Sequence, residues 1–198
     1  MIGVGVQGLY QTLSAAAVRP IREVYAYARS RERGRAFAAR LGALAPHLRV
    51  HLCASAEEAA RQGEILITAT TAAAPVLEDD PELFRGRHIV AVGTFEPAKR
   101  ELPPAAVAAA DELWTDTLFS CRESGDLAIP LARGEIAESQ VRELAQRVRQ
   151  GLPQPFRRRE TTLFKSVGLG LFDLVAAGTL YEKAVAQGIG HSVAQTGS

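Results

Sequence analysis

The chain has 198 residues, 47% of them hydrophobic and 23% charged, enough for one substantial globular domain with a small appendage. Lys and Arg number 23 against 22 Asp and Glu, a formal charge of +1, so no basic surplus points to nucleic acid or an anionic membrane surface. Cys53 and Cys121 have no metal-ligand spacing, no apolar run is as long as a membrane span, and Met1 leads into glycines rather than a leader peptide, so a reduced, cytoplasmic, metal-free chain is expected.

In chain order, Met1-Ile2 read as strand and Gly3 to Gly8 as a turn, followed by a helix from Leu9 to Val18 that Arg19-Pro20 ends. Glu23 to Tyr27 is a short strand rich in β-formers. Ser30 is a candidate N-cap for a helix to about Leu41, with Gly42 as its stop. Arg49 to Cys53 suits a brief strand, and Ser55-Ala56-Glu57-Glu58 is a capping-box pattern opening a helix that Gly63 closes. Glu64 to Thr70 and His88 to Gly93 are nearly continuous apolar runs, the pattern of strands buried on both faces of a parallel sheet. Glu112 to Thr115 is a weaker third strand, and Glu135 to Arg149 has the pattern of an amphipathic helix. Gly151-Leu152-Pro153-Gln154-Pro155 breaks regular structure, Val167 to Ala177 is apolar enough for a buried helix, and a longer helix covers Phe172 to Gln187 before a frayed tail from His191. This alternation of strands and helices predicts an α/β fold, a Rossmann-like doubly wound parallel sheet over residues 1–155, with residues 156–198 as a C-terminal helical segment.

The turn carries the pattern Gly3-x-Gly5-x-x-Gly8 between a strand end and a helix start. There Gly3 permits a tight turn, Gly5 lets a pyrophosphate approach the backbone, and Gly8 allows close packing of helix on sheet. The helix start adds free N–H groups and a partial positive charge. The end of the second strand chooses the cofactor. Domains that bind NAD place an acid there to hold the ribose hydroxyls. This strand instead ends Tyr27-Ala28-Arg29-Ser30-Arg31, so Arg29, Ser30 and Arg33 are candidates for a 2′-phosphate, Arg29 also stacking on adenine, and NADP(H) is expected over NAD(H). A solvated helix start is the competing reading of these arginines.

Four segments in the same order resemble the ornithine cyclodeaminase/mu-crystallin family. They are Gly3-x-Gly5-Val6-Gln7, Ala91-Val92-Gly93-Thr94-Phe95-Glu96-Pro97-Ala98-Lys99-Arg100-Glu101-Leu102, Ser124-Gly125-Asp126-Leu127, and Thr162-Leu163-Phe164-Lys165-Ser166-Val167-Gly168 followed by Asp173. The resemblance implies that Val6 and Gln7 contact the pyrophosphate region, and that Thr70 touches the cofactor. It also implies that Val92 and Gly93 run towards the nicotinamide with Lys99 and Ser166 nearby, and that Val167 helps wall the substrate pocket. Strand carboxyl ends are where such sheets bind ligands, which agrees for Thr70 and Gly93.

The chain departs from the family pattern at two places. Phe95 stands where cyclodeaminases carry a proton-transferring aspartate, and a phenyl ring has no titratable proton. Glu96 is adjacent but, on an extended segment, points the other way. The resemblance therefore implies an imine reductase that converts a cyclic imino acid, such as pyrroline-2-carboxylate or piperideine-2-carboxylate, by hydride transfer to the C=N carbon. Ornithine cyclodeaminase, an alanine-type amino-acid dehydrogenase and a non-catalytic NADP-binding protein of the mu-crystallin kind are the alternatives. No catalytic residue is assigned. The second departure is the start: the family's substrate and dimer domain lies largely before the glycine turn, so the chain is expected to be an inactive fragment, homodimeric only at full length. The C-terminal helix would pack on that domain. Arg157-Arg158-Arg159 is read as a solvated patch.

Overall fold

The computed structural model describes residues 1–151, 160–191 and 193. The chain divides into two compact units, Met1–Val167 and Gly168–Ser198. Among its described residues, the first is an all-parallel α/β sheet. Its strands are β1 (Glu23–Ala26), β2 (Arg49–Leu52), β3 (Ile65–Thr68), β4 (His88–Ala91), β5 (Glu112–Thr115), β6 (Val141–Glu143) and β7 (Thr162–Lys165). They fall into a pair, β1-β2, and a five-stranded group ordered β3-β4-β7-β5-β6.

Ile2 joins the two groups. It bridges Tyr27 on one side and Thr68 on the other, both in parallel. Its amide donates to the Ile67 carbonyl at 2.8 Å and its carbonyl accepts from the Ala69 amide at 2.9 Å, while Tyr27 donates to the Met1 carbonyl at 2.9 Å. From this joint the chain first builds β1 and β2 on one side and then crosses to build β3 and the strands beyond it on the other, which makes it the point where the winding of the sheet reverses. Towards the amino ends of β1 and β3, the strands flank a hollow of about 500 Å³ lined by Met1, Val24, Tyr25 and Ile65 among others.

Side chains alternate across the sheet because successive Cβ atoms point to opposite faces. Met1, Val24, Ala26 and Ile67 pack with Leu9 of α1 (Val6–Val18) and with Phe37 and Leu41 of α2 (Arg31–Leu44). Ile2, Leu66, Ile89, Leu113 and Leu163 point the other way. They meet α3 (Ala56–Gln62), α4 (Pro104–Ala108), α5 (Ser120–Glu123) and α6 (Gly125–Ala132) through Ala60, Ala106, Cys121 and Leu127. The doubly wound parallel fold expected from the sequence is the fold observed. Cys53 and Cys121 are free thiols.

Local expectations need four corrections. Helix α1 begins at Val6, inside the span read as turn, because Gly5 takes the N-cap position with an extended backbone. Gly42 does not stop α2, which runs on to Leu44. The stop belongs to Ala45, whose φ of −141° and ψ of 74° leave the helical region in front of Pro46, a residue that disfavours a helical predecessor. The span from Glu135 to Arg149 is not one helix. A 3-10 turn at Glu138–Gln140 leads into β6 and then α7 (Leu144–Arg149), because Val141 pairs beside Leu113 at the sheet edge. The sequence reading also has no strand at Thr162–Lys165, yet β7 lies between β4 and β5, in register with both.

The second unit contains α8 (Gly170–Ala186). Its apolar side chains, Leu171, Phe172, Leu174 and Val175 among them, are exposed, where the sequence reading has a buried helix. Apolarity states a demand for burial and not the partner that meets it. No helix among the described residues is long and apolar enough to cross a membrane. Leu152 to Pro155, the Arg157-Arg158-Arg159 patch and most of the tail lie outside the described residues.

Candidate functional site

Because all strands run parallel, the residues that follow them share one edge of the sheet. Gly3, Thr70, Val92, Gly93, Ser166 and Val167 all lie on it. Gly3 has φ +92°, a conformation that favours glycine, and a Cβ there would come under 3.0 Å from the Ala69 carbonyl. A Cβ on Gly8 would meet the Gly3 carbonyl as closely. These two glycines are demanded by the protein's own packing. Gly5 differs: a Cβ there would meet nothing within 4 Å. The space above Gly5 is open, and beside it the first-turn amides of α1 have no side-chain cap and no acidic neighbour. Val6 and Gln7 are exposed there.

Arg29, just past the end of β1, and Arg33, in the first turn of α2, are exposed. Ser30 caps α2, its Oγ accepting from the Arg33 amide at 3.3 Å, which leaves its O–H free to donate elsewhere. Arg33 also lines a hollow of about 240 Å³ with Gly5, Val6 and Arg40, so the structure brings it alongside the glycine turn. Sequence reasoning missed Arg40. The signal was there, since Arg33, Phe37 and Arg40 follow helical spacing along one face of α2.

The other flank of the edge is held by buried carboxylates that the sequence reading did not single out. Glu101, fully buried, accepts the Thr70 amide at 2.6 Å on Oε1, and the Gly93 amide at 2.7 Å and the Thr68 hydroxyl at 3.0 Å on Oε2. Burial pushes its carboxyl above the usual range, against the pull of the hydrogen bonds from Thr70 and Gly93. Asp126 takes the Glu101 and Leu102 amides on Oδ1, at 2.8 and 2.9 Å, and the Thr94 hydroxyl on Oδ2 at 2.8 Å. Lys165, at the end of β7 and fully buried, completes that cluster 3.1 Å from Asp126. Asp116, after β5, accepts the Ser166 hydroxyl at 2.8 Å and the Val167 amide at 3.0 Å, and also bonds Ser120. Each of these acids reads as surface from composition alone; their burial depends on partners far along the chain.

Phe95 sits on this edge with 69% of its surface exposed. Glu96 does not stand in for an acid at position 95, because its carboxylate pairs with Lys99 at 2.5 Å. Lys99 is half-buried, and its carbonyl and that of Pro97 approach Gly125 so closely that a Cβ on Gly125 would fall under 3.0 Å from both.

Comparison with known proteins agrees with this geometry. Residues 1–188 match the profile of the ornithine cyclodeaminase/mu-crystallin family. A Delta(1)-pyrroline-2-carboxylate reductase of Bacillus cereus is 35% identical over 199 residues, covering 98% of this chain and 59% of that protein. The structure of Thermococcus litoralis Delta(1)-pyrroline-2-carboxylate reductase with NADH and L-proline superposes with a TM-score of 0.89 at 35% identity, covering 97% of this chain and 59% of the other. That of the Paracoccus denitrificans iminosuccinate reductase with NAD+ gives a TM-score of 0.82 at 29% identity, over 98% of this chain and 58% of the other. The chain thus spans somewhat over half the length of these relatives. With the glycine turn at the reversal of the winding, the motif around Phe95 on the adjoining rim and the profile running through both, the chain is a member of the ornithine cyclodeaminase/mu-crystallin family.

Proposed function

We propose that this chain forms the dinucleotide-binding part of an NADP-dependent reductase of cyclic 2-imino acids, of the pyrroline-2-carboxylate or piperideine-2-carboxylate kind. The observation that carries the reading is Phe95, exposed on the rim where a cyclodeaminase needs a titratable acid. A substrate iminium that arrives already protonated has less need of an enzyme base. The identities of the reductases from Bacillus cereus and Thermococcus litoralis support the same reaction class.

The residues present fit a nicotinamide dinucleotide. The open space over Gly5 and the uncapped amides of α1 suit a pyrophosphate, with Val6 and Gln7 beside it. Arg29, Ser30 and Arg33 would hold the 2′-phosphate, and no acid stands at the end of β1 to favour the free ribose hydroxyls. Thr70, Val92, Gly93, Lys99 and Ser166 would line the nicotinamide end, with Val167 on the substrate side. A reduced nicotinamide bound there would supply the hydride, and these residues would orient it.

Fluorescence titration with NADPH and NADH tests the cofactor half. NADPH should bind more tightly, and Arg29→Ala should weaken NADPH alone; equal affinities overturn it. Incubation with pyrroline-2-carboxylate and with ornithine tests the chemistry. Oxidation of NADPH by the imine without ammonia release from ornithine is the expected result for the full-length enzyme, and ammonia release at a comparable rate overturns it. A second reading, a non-catalytic NADP-binding protein, is favoured by the same rim, where every buried carboxylate is already engaged. Tight NADPH binding with no turnover of any imine would select it.

A further inference from the structure

We propose that Glu101 is the positioning residue of the cofactor rim, a single carboxylate that fixes the ends of β3 and β4 so that Thr70 and Gly93 are set before a ligand arrives. The inference rests on the reading that this rim holds a nicotinamide dinucleotide. The last ladder bond between the two strands runs from the Val92 amide to the Thr68 carbonyl at 3.0 Å. Beyond it the amides of Thr70 and Gly93 both turn to the Glu101 carboxylate, one on each oxygen. Glu101 is itself held from two sides, its amide on Asp126 at 2.8 Å and its carbonyl accepting from Val76 at 2.9 Å. The approach is close enough that a Cβ on Gly93 would fall under 3.0 Å from the Thr70 backbone and from Glu101 Oε1. The charged groups facing this carboxylate are Asp126 and, through it, Lys165.

The chemistry admits few substitutes. Two amide donors approach two different oxygens, so both must accept. Glutamine has one oxygen and one NH₂, and in either orientation it turns a donor towards an N–H. Aspartate keeps both acceptors but is one methylene shorter and cannot reach both amides from the same backbone. A group that merely filled space would tolerate glutamine, which has nearly the same volume.

The test uses the 198-residue chain with Glu101→Gln, Glu101→Asp and Thr68→Val, read by NADPH titration, by hydrogen exchange and by thermal melting. Glu101→Gln should raise the NADPH Kd about tenfold, as expected for losing roughly one charge-assisted hydrogen bond. Exchange should accelerate in the segments around Thr70 and Gly93 and stay unchanged in β2 and α2. Thr68→Val keeps both amide bonds and should hold the Kd within about twofold. If Glu101→Gln does not fold, Glu101→Asp decides by the same two readouts. Wild-type affinity and exchange in the folded variant, or faster exchange spread evenly over the whole unit, overturns the proposal. A wild-type chain that binds neither NADPH nor NADH refutes the cofactor reading instead, and exchange at Thr70 and Gly93 then judges the clamp alone.

Discussion

On the β1–β2 flank, Glu23 meets Arg49 and His51 with side chains 31%, 74% and 47% exposed. On the other flank, Lys165 meets Asp126 with both side chains fully buried, and Glu101 and Asp116 are buried beside them. Both groups set acids beside bases, but the physics differs. Water screens the first group and allows each member an alternative partner. The second group has been desolvated, so each member depends on the partners that the fold supplies. The exposed flank leaves Arg29 and Arg33 in solvent, where the proposed 2′-phosphate would meet them. The buried flank spends its charges on holding backbone amides still. One side of the site reads as recognition and the other as geometry.

The comparison can be broken most forcefully at Lys165. Lys165→Met leaves Asp126 buried without its cation and should cost about 3–5 kcal/mol in urea denaturation. Replacing Asp126 by Asn in the same chain should restore part of that loss, because the unpaired charge is gone and Oδ1 can still accept the Glu101 and Leu102 amides; a single variant as stable as wild type would show that the pair is not isolated from water. Gly93→Ala comes next. Its Cβ would press on the Thr70 backbone, and a stability loss of about 1–3 kcal/mol is expected from overpacking. The melt should be accompanied by weaker NADPH binding.

On the exposed flank the effects shrink. Ser30→Ala removes the cap of α2 and should cost about 1 kcal/mol, whereas Ser30→Gly costs only about a few tenths. Ser30→Gly therefore separates the cap from the proposed phosphate contact: it should weaken NADPH and leave both stability and NADH affinity nearly unchanged. Glu23→Gln is the smallest change. His51 and then Arg49 hold the Glu23 carboxyl below its ordinary range, but the cluster is solvated and the urea midpoint should not move. A clear shift there would erase the contrast between the flanks.

The same contrast explains what was legible in the sequence. Ile65–Thr68 and His88–Ala91 are apolar runs whose burial requires no knowledge of their partners, and both strands were found. The glycine turn was legible because its constraint is local. Thr162–Lys165 was not, since a four-residue strand ending in lysine looks like surface until Asp126 is placed beside it. Glu101 and Asp116 were hidden for the same reason: an acid announces its charge but not the amides that will accept its company. The split of Glu135–Arg149 into a turn, β6 and α7 follows from Val141 meeting Leu113, a contact that no helical periodicity encodes. Arg29, Ser30 and Arg33 stood out because a strand end without an acid is visible by inspection, and Arg40 was lost only because it lies beyond the first turns of α2.

The position of β7 has a consequence for how the molecule comes into being. Within the five-stranded group, β3 and β4 leave the ribosome before β5 and β6, yet the strand that separates these two pairs is the last to appear. Until Thr162–Lys165 is available, the Leu163 slot between Ile89 and Leu113 is an open seam with unpaired edges on both sides. Assembly must wait for a contact of very large sequence separation, the kind that slows folding and leaves nascent chains open to aggregation. Trp114, the chain's single tryptophan, pairs in register with Phe164 across that seam. Its fluorescence would therefore time the closure of the sheet.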